Sequence, residues 1–324
     1  MNSELQIRVF DSVMEKDNIM IICHKNPDGD ALGTAFALLQ VLKNAGKRAF
    51  VACSDPVPPR MKFIADEQDN LDVIFEPDCI VAVDVATKDL IGEKLSVYED
   101  RVDFCIDHHH TNTGYAKQTI VCADASSTGE LLFDILDVSN IKINDYIAEK
   151  LYTAISFDTG CFRFANVKPH THIVAAKLLE YDFDFEDINR RLFDIASLEQ
   201  LQIETAVISG VERYKNNTIT MLTLTQQMLK DSGSENIDID GLSSITRRIE
   251  GTKMGIAVRE LSDGLIKVSL RSLDDKIDVS KIAAVFGGGG HKRASGCSFS
   301  VPVDEAKKQL LKAVFKYWDE NQIN

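Results

Sequence analysis

No stretch of the 324 residues approaches the roughly 20 consecutive apolar residues of a membrane span. The opening MNSELQIRVF has neither the basic region nor the apolar block of a secretory signal. The expectation is a cytoplasmic protein with no membrane partner. Cysteine is scarce and scattered: the seven, at 23, 53, 79, 105, 122, 161 and 297, are odd in number and form no CxxC pair. That spacing excludes a disulfide framework and a zinc ribbon. Cys23, Cys79 and Cys105 lie in apolar runs and read as small buried hydrophobes. Positive charge is also short, 36 Lys and Arg against 50 Asp and Glu, for a net charge of −14. Binding to long duplex nucleic acid depends on many cationic contacts to phosphates, so a partner of that kind is excluded. A compact anionic substrate held through metal ions fits this balance, with part of the acidic excess acting as ligands.

What is present is an ordinary globular composition, 44% hydrophobic and 27% charged, over a length that supports two cores. The apolar run NIMIIC (18–23) leads through a polar turn into helical spacing from Ala31 to Ala45, closed by Gly46. Further strands are expected at 48–53, 79–85 and 102–106, separated by helical or turn-like stretches. Continuous apolar strands alternating with helices predict an α/β domain, a mainly parallel sheet with helices on both faces. Helical patterns follow in STGELLFDIL, NDYIAEKLYTAISF and HTHIVAAKLLEY. A mostly helical stretch from Phe185 to about Tyr214 would then connect the halves.

The second half predicts a smaller α+β domain. Its expected elements are a strand in TITMLTLT, a helix around 240–249, strands GIAVREL and LIKVSLRS joined at Asp263–Gly264, a helix at VSKIAAVF, a glycine loop and a last helix from Val303 to about Glu320. The boundaries expected are 1–190 for the sheet domain, 191–214 for a helical linker and 215–324 for the second domain.

Chemistry concentrates at strand ends. His24-Lys25-Asn26-Pro27-Asp28-Gly29-Asp30 follows a strand and precedes a helix, where open α/β sheets place ligand sites, and Asn-Pro and Asp-Gly set a tight turn. An Asx cap on the helix is the competing explanation for Asp28 or Asp30. Asp84 ends the run CIVAVD, where a carboxylate belongs at the strand mouth and not in the sheet interior. The strand VDFCI runs straight into Asp107-His108-His109-His110, and neutral imidazoles beside carboxylates suit Mn²⁺, Fe²⁺ or Zn²⁺. Asp158 sits at a helix C-terminus, unfavourable against the helix dipole unless a cation offsets it. Together His24, Asp28, Asp30, Asp84, His108 and Asp158 supply two imidazoles and four carboxylates, enough for two metal ions. Two ions about 3.5–4 Å apart can share a carboxylate, activate water and stabilise the leaving oxygen of a phosphoryl displacement. In the second half, Gly287-Gly288-Gly289-Gly290-His291 would let backbone N–H groups approach an anion. Arg271, in the strand VSLRS, reads either as a phosphate contact or as half of a salt bridge on a sheet face. Ser126-Ser127-Thr128 reads as a helix N-cap.

These motifs resemble the DHH phosphoesterase family, and the glycine-histidine run with Ala294-Ser295-Gly296 resembles the DHHA1 domain that accompanies it. The resemblance runs from about residue 18 to about 300. It implies that His24, Asp28 and Asp84 bind one Mn²⁺ while Asp30, Asp84, His108 and Asp158 bind a second, with Asp84 bridging. It further implies that Asp107 acts behind the ligands, that His109 faces the substrate phosphate, and that Arg271, Gly288, Gly289, Gly290, His291 and Ser295 hold substrate. The Ser126–Thr128 segment likewise resembles a family segment near the active site. No role is assigned to His110, and His170 and His172 read as surface residues at a helix start.

The second domain counts against family II inorganic pyrophosphatases, and length and charge count against RecJ-type exonucleases. The stand-alone NrnA-like group fits, which implies degradation of short single-stranded oligoribonucleotides and removal of the 3′-phosphate of pAp. Hydrolysis of dinucleotides such as pApA or c-di-AMP is the alternative. A nucleotide-binding sensor without catalysis is a second, against which the complete ligand set argues. A homodimer is compatible with the group.

Overall fold

The computed structural model describes residues 3–233 and 242–323. The chain divides into two compact units, residues 1–195 and 196–324.

In the first unit, helix α1 (Ser3–Met14) precedes strand β1 (Ile19–Ile22), helix α2 (Gly29–Asn44), and strands β2 (Ala49–Ala52), β3 (Cys79–Val83), β4 (Phe104–Asp107) and β5 (Gln118–Val121). Helices α3 (Thr128–Val138), α4 (Asp145–Asp158), α5 (Pro169–Leu178) and α6 (Phe185–Asn189) follow. The strands form one sheet in the order β2-β1-β3-β4-β5, and every neighbouring pair is parallel. Strands β1 and β3 are buried along their whole length, as four- and five-residue apolar runs covered on both faces must be. Two apolar clusters account for this. The larger packs α2, α3 and α4 on one face, and the smaller gathers Met20, Ile22, Phe50, Ile80 and Cys105 on the other. Cys23, Cys79 and Cys105 are buried, and burial pushes the thiols of Cys79 and Cys105 up to about 12.

The fifth strand was not expected. Three of its four side chains are exposed or half-buried because it lies at the sheet edge, so it carries no continuous apolar run.

The second unit opens with α7 (Leu198–Ser209). It continues through β6 (Glu212–Tyr214), β7 (Ile219–Leu224), α8 (Gln226–Asp231), α9 (Leu242–Thr246), β8 (Met254–Glu260), β9 (Ile266–Ser272), α10 (Val279–Ala284), β10 (Gly289–His291), β11 (Ala294–Phe299) and α11 (Val303–Glu320). Residues 240 and 241 of the helix expected around 240–249 lie outside the described residues. The sheet order is β10-β11-β9-β8-β7-β6, with only the β7–β8 pair parallel. One face packs on α10 and α11 through Val268, Leu270, Leu310 and Trp318, and the β7–β8 part of the other face is covered by α7, α8 and α9.

Two expectations need correcting here. The mostly helical stretch expected to about Tyr214 ends in β6, an edge strand antiparallel to β7, and not in helix. The glycine run is only half a loop, because Gly289, Gly290 and His291 form β10, antiparallel to β11. Gly290 takes φ +137, and a Cβ there would stand 2.6 Å from the Ala294 carbonyl. The absence of side chains is what lets this edge strand lie against its neighbour. Among the described residues no helix is long and apolar enough to cross a membrane.

Candidate metal centre

The carboxyl ends of β1, β3 and β4 lie side by side in the sheet, and each emits part of the candidate ligand set. After β1 the chain turns through Asn26, whose φ of +52 lies in the left-handed region, and enters α2 with Asp28 as its N-cap. Asp28 Oδ1 accepts from the backbone N–H groups of Asp30 and Ala31, both at 3.0 Å, while Oδ2 faces His24 Nε2 at 3.7 Å. The cap and the site are therefore the same carboxylate. His24 Nδ1 lies 2.7 Å from the Lys25 carbonyl, which can only accept, so the ring proton belongs on Nδ1 in the neutral form. That leaves Nε2 directed at Asp28 and Asp84, the tautomer a metal-binding imidazole requires.

Asp84, the residue after β3, is 3% exposed and adopts φ +59, an unfavourable conformation for a residue with a side chain. Its backbone N–H still bonds the Ile106 carbonyl, so the strand is held to its end while the carboxylate swings into the mouth of the sheet. Oδ2 stands 3.6 Å from His24 Nε2, and Oδ1 stands 3.8 Å from His108 Nε2. The Thr128 hydroxyl donates to Oδ1 at 2.8 Å.

Asp30 is buried on the first turn of α2. It accepts from the Thr128 and Gly129 N–H groups at 2.7 and 2.9 Å and from the Thr34 hydroxyl at 3.1 Å. The first turn of α3 thus points unpaired donors at a buried anion. His108 Nε2 meets Asp30 Oδ2 at 3.8 Å and Asp158 Oδ2 at 3.5 Å, and Asp158 is the last residue of α4.

The structure brings together all six residues expected as ligands. Their donor atoms fall into groups compatible with a cation, His24-Asp28-Asp84 and Asp30-His108-Asp158, with Asp84-His108-His109 between them. Asp107 does not buttress His108. Its Oδ1 lies 2.8 Å from His109 Nδ1 and its Oδ2 accepts from Asn112 Nδ2 at 2.6 Å, whereas His108 Nδ1 faces the Ala125 carbonyl at 3.5 Å. His109 is the more exposed ring, 43% against 14% for His108, and keeps Nε2 clear of Asp107. His110 is exposed, and His170 is a surface partner of Asp134. Ser127 caps α3 by accepting from the Glu130 N–H. Sequence reasoning missed Thr128 as a contact to both Asp30 and Asp84, and missed Asn112. The family resemblance put the Ser126–Thr128 segment near the site but gave Thr128 no contact, and nothing in an isolated Asn marks a partner five residues back.

Electrostatics show what this set needs. Burial, then the charges of Asp84, Asp158 and Asp28, push Asp30 well above the usual carboxylate range. Burial and Asp28 raise Asp84 to about 6, and burial raises Asp158. Burial opposes charge on His24, yet the hydrogen bond and charge of Asp28 lift it to about 9. The Asp107 hydrogen bond lifts His109 to about 9. Asp30, Asp84 and Asp158, crowded in low dielectric, are all raised because no compensating positive charge is strong enough, and a divalent cation supplies that charge; at Asp28 burial is outweighed by the hydrogen bond and charge of His24, which lower it. The residues fit two such ions.

In the second unit Arg271 lies on β9, opposite Gly255 of β8 and Ala294 of β11, and Ala294 lies opposite His291 of β10. Among the described residues Arg271 forms no ion pair, so the salt-bridge explanation does not apply; its Nη1 donates to the Leu270 carbonyl at 3.1 Å. His291, Gly289 and Gly290 are exposed and Gly288 is half-buried. Ser295 is buried and its hydroxyl donates to the His291 carbonyl at 2.8 Å, so it braces β10.

Comparison with known proteins agrees with this geometry. The model of the DHH family, N-terminal domain, matches residues 18–155, and that of the DHHA1 domain matches residues 217–320. A Thermus thermophilus protein named bifunctional oligoribonuclease and PAP phosphatase NrnA is 31% identical over 91% of this chain and 89% of its own. This chain belongs to the DHH family. The crystal structure of a Bacteroides fragilis exopolyphosphatase-related protein superposes with a TM-score of 0.88 at 28% identity, covering 98% of both chains. A Geobacillus thermodenitrificans cyclic-di-AMP phosphodiesterase, GdpP, is 24% identical over 95% of this chain but only 48% of its own.

Proposed function

We propose that this DHH-family protein is a two-metal phosphoesterase that degrades short oligoribonucleotides from an end and removes the 3′-phosphate of pAp. The observation that carries the reading is the position of Asp84, whose two oxygens face two separate His/Asp groups. In this assignment His24, Asp28 and Asp84 hold one Mn²⁺, and Asp30, Asp84, His108 and Asp158 hold the other. Bound there, the ions supply Lewis-acid polarisation of the phosphoryl group and lower the pKa of water.

The chain's own residues do the rest. Thr128 and the first turn of α3 fix the Asp30 and Asp84 carboxylates, so the ligand set is oriented before substrate arrives. Asp107, itself held by Asn112, keeps His109 protonated and turned with Nε2 free, a donor for a phosphoryl oxygen whose charge grows in the transition state. In the second unit Arg271, His291 and the backbone of Gly288, Gly289 and Gly290 take the phosphate that is not cleaved, and Ser295 braces them.

Hydrolysis of cyclic or linear dinucleotides is the second reading, favoured by the similarity to the GdpP protein over nearly the whole chain. Turnover of pAp, pApA, c-di-AMP and two-to-five-residue RNA, each with Mn²⁺ and with EDTA, separates the two. Mn²⁺-dependent cleavage of short RNA and pAp with c-di-AMP intact is expected. Preference for c-di-AMP or pApA alone moves the protein to dinucleotide turnover, and binding without any cleavage makes it a sensor.

A further inference from the structure

The cross-strand row through Arg271 extends further than the glycine-histidine end. Gly255, Arg271, Ala294 and His291 are successive cross-strand partners on β8, β9, β11 and β10. Directly opposed residues of antiparallel strands project on one face, so Arg271 and His291 share that face, about 10 Å apart across two strand spacings. Ala294 between them leaves the space open.

On the other side of Arg271 the row reaches Gly255. With no side chain there, Thr246 at the end of α9 packs directly against the Gly255 backbone, and a Cβ would collide with its hydroxyl. The Thr246 side chain is buried and donates to the Ser243 carbonyl at 2.7 Å, so the end of α9 is pinned over β8. The next residue is Arg247, exposed and, among the described residues, in no ion pair or hydrogen bond through its side chain. Its charge reaches Arg271: burial first, and the positive charge of Arg247 second, lower the Arg271 guanidinium from its ordinary value. Two guanidinium groups whose charges act on one another, neither of them in an ion pair among the described residues, suit an anion they both meet.

We infer that Arg247 forms a second phosphate contact beside Arg271, so that this face grips two successive non-reacting phosphates of an oligonucleotide. The inference rests on the reading of Arg271 and His291 as a phosphate grip. A substrate with one non-reacting phosphate, such as pAp, uses Arg271 alone. A 5′-phosphorylated trinucleotide such as pApApA has two and uses both arginines.

The test compares kcat and KM of the Mn²⁺-loaded protein for pAp and pApApA in Arg247→Ala, Arg247→Lys and Arg271→Ala. Arg247→Ala is expected to raise KM for pApApA about tenfold, the loss of one charge-assisted contact, and to leave pAp within about twofold. Arg247→Lys is expected to recover part of the loss. Arg247 is exposed, so the fold is retained, which an unchanged melting curve checks. No change with pApApA, or an equal change with both substrates, overturns the inference. If Arg271→Ala leaves both substrates unaffected, the grip reading itself fails, an outcome distinct from failure at Arg247 alone.

Discussion

Asp84 combines burial, a left-handed backbone and two oxygens that face different histidines. Asp84→Asn keeps the shape and removes the charge on which both proposed ions depend. It is expected to lower kcat by about 10³-fold or more, while metal analysis of the purified variant finds less bound Mn²⁺. Asn112 works at one remove, through Asp107 to His109. Asn112→Ala is expected to cost about 10–100-fold in kcat with metal content intact, in keeping with the usual effect of losing a partner behind a site residue. It should also shift the basic limb of the pH–rate profile downward, since His109 owes its high value first to Asp107. Proton traffic gives a third expectation. His24 is raised to about 9 and so holds its proton at neutral pH, but must surrender it from Nε2 to ligate. Mn²⁺ binding at pH 7 therefore releases protons, and affinity climbs with pH and levels off only above about 9, once His24 has lost its proton. Calorimetric titration in two buffers of different ionisation enthalpy measures the release, and buffer-independent heats would contradict it.

At the scale of elements, α2 carries Asp28 and Asp30 and α3 carries the donors that hold Asp30, so the site depends on how closely these helices approach α4. Two glycines set that distance. A Cβ at Gly33 would lie 2.6 Å from the Lys150 carbonyl and 3.0 Å from Ala154 Cβ, and one at Gly129 would lie 2.5 Å from Ala154 Cβ. Both positions face helix backbone or a methyl group, so neither neighbour can move aside easily. Gly33→Ala is expected to destabilise the protein by about 1–3 kcal/mol, as overpacking a tight core does. Because α2 would be displaced with its carboxylates, turnover should fall as well. Denaturant melts checked against kcat test this, and a Gly33→Ala variant as stable and active as the wild type would show that the helices have slack.

For the whole molecule, the two units have separate apolar cores, and every proposed metal ligand belongs to the first. Adding Mn²⁺ at about 100 times its Kd should stabilise the first unit by about 2.7 kcal/mol, through binding to the folded state alone. The relief of repulsion among Asp30, Asp84 and Asp158 is the physical source of that affinity. Melting in EDTA should lower the transition of the first unit and leave that of the second unchanged. Equal shifts in both would place the cation elsewhere.

The sequence by itself determined the parallel sheet, the strand ends that carry the chemistry, and the six acidic and imidazole residues gathered there. Continuous apolar runs report burial on both faces, and ionisable residues directly after such runs have few other places to be. It also determined the second unit's main strands and its last helix, through periodicity alone. Only the tertiary structure decided which side chain holds which. Thr128 approaches Asp30 and Asp84 from a segment 98 and 44 residues away in the chain, and no local pattern encodes a contact of that range. Asp107 serves His109 and not His108 because Asn112 and the turn after β4 fix its carboxylate, which composition does not record. Edge strands β5, β6 and β10 escaped notice because an edge needs neither continuous apolar residues nor, in β10, side chains at all. Arg247 became informative only when β-sheet register and the bare backbone of Gly255 placed its neighbour Thr246 over the cross-strand partner of Arg271.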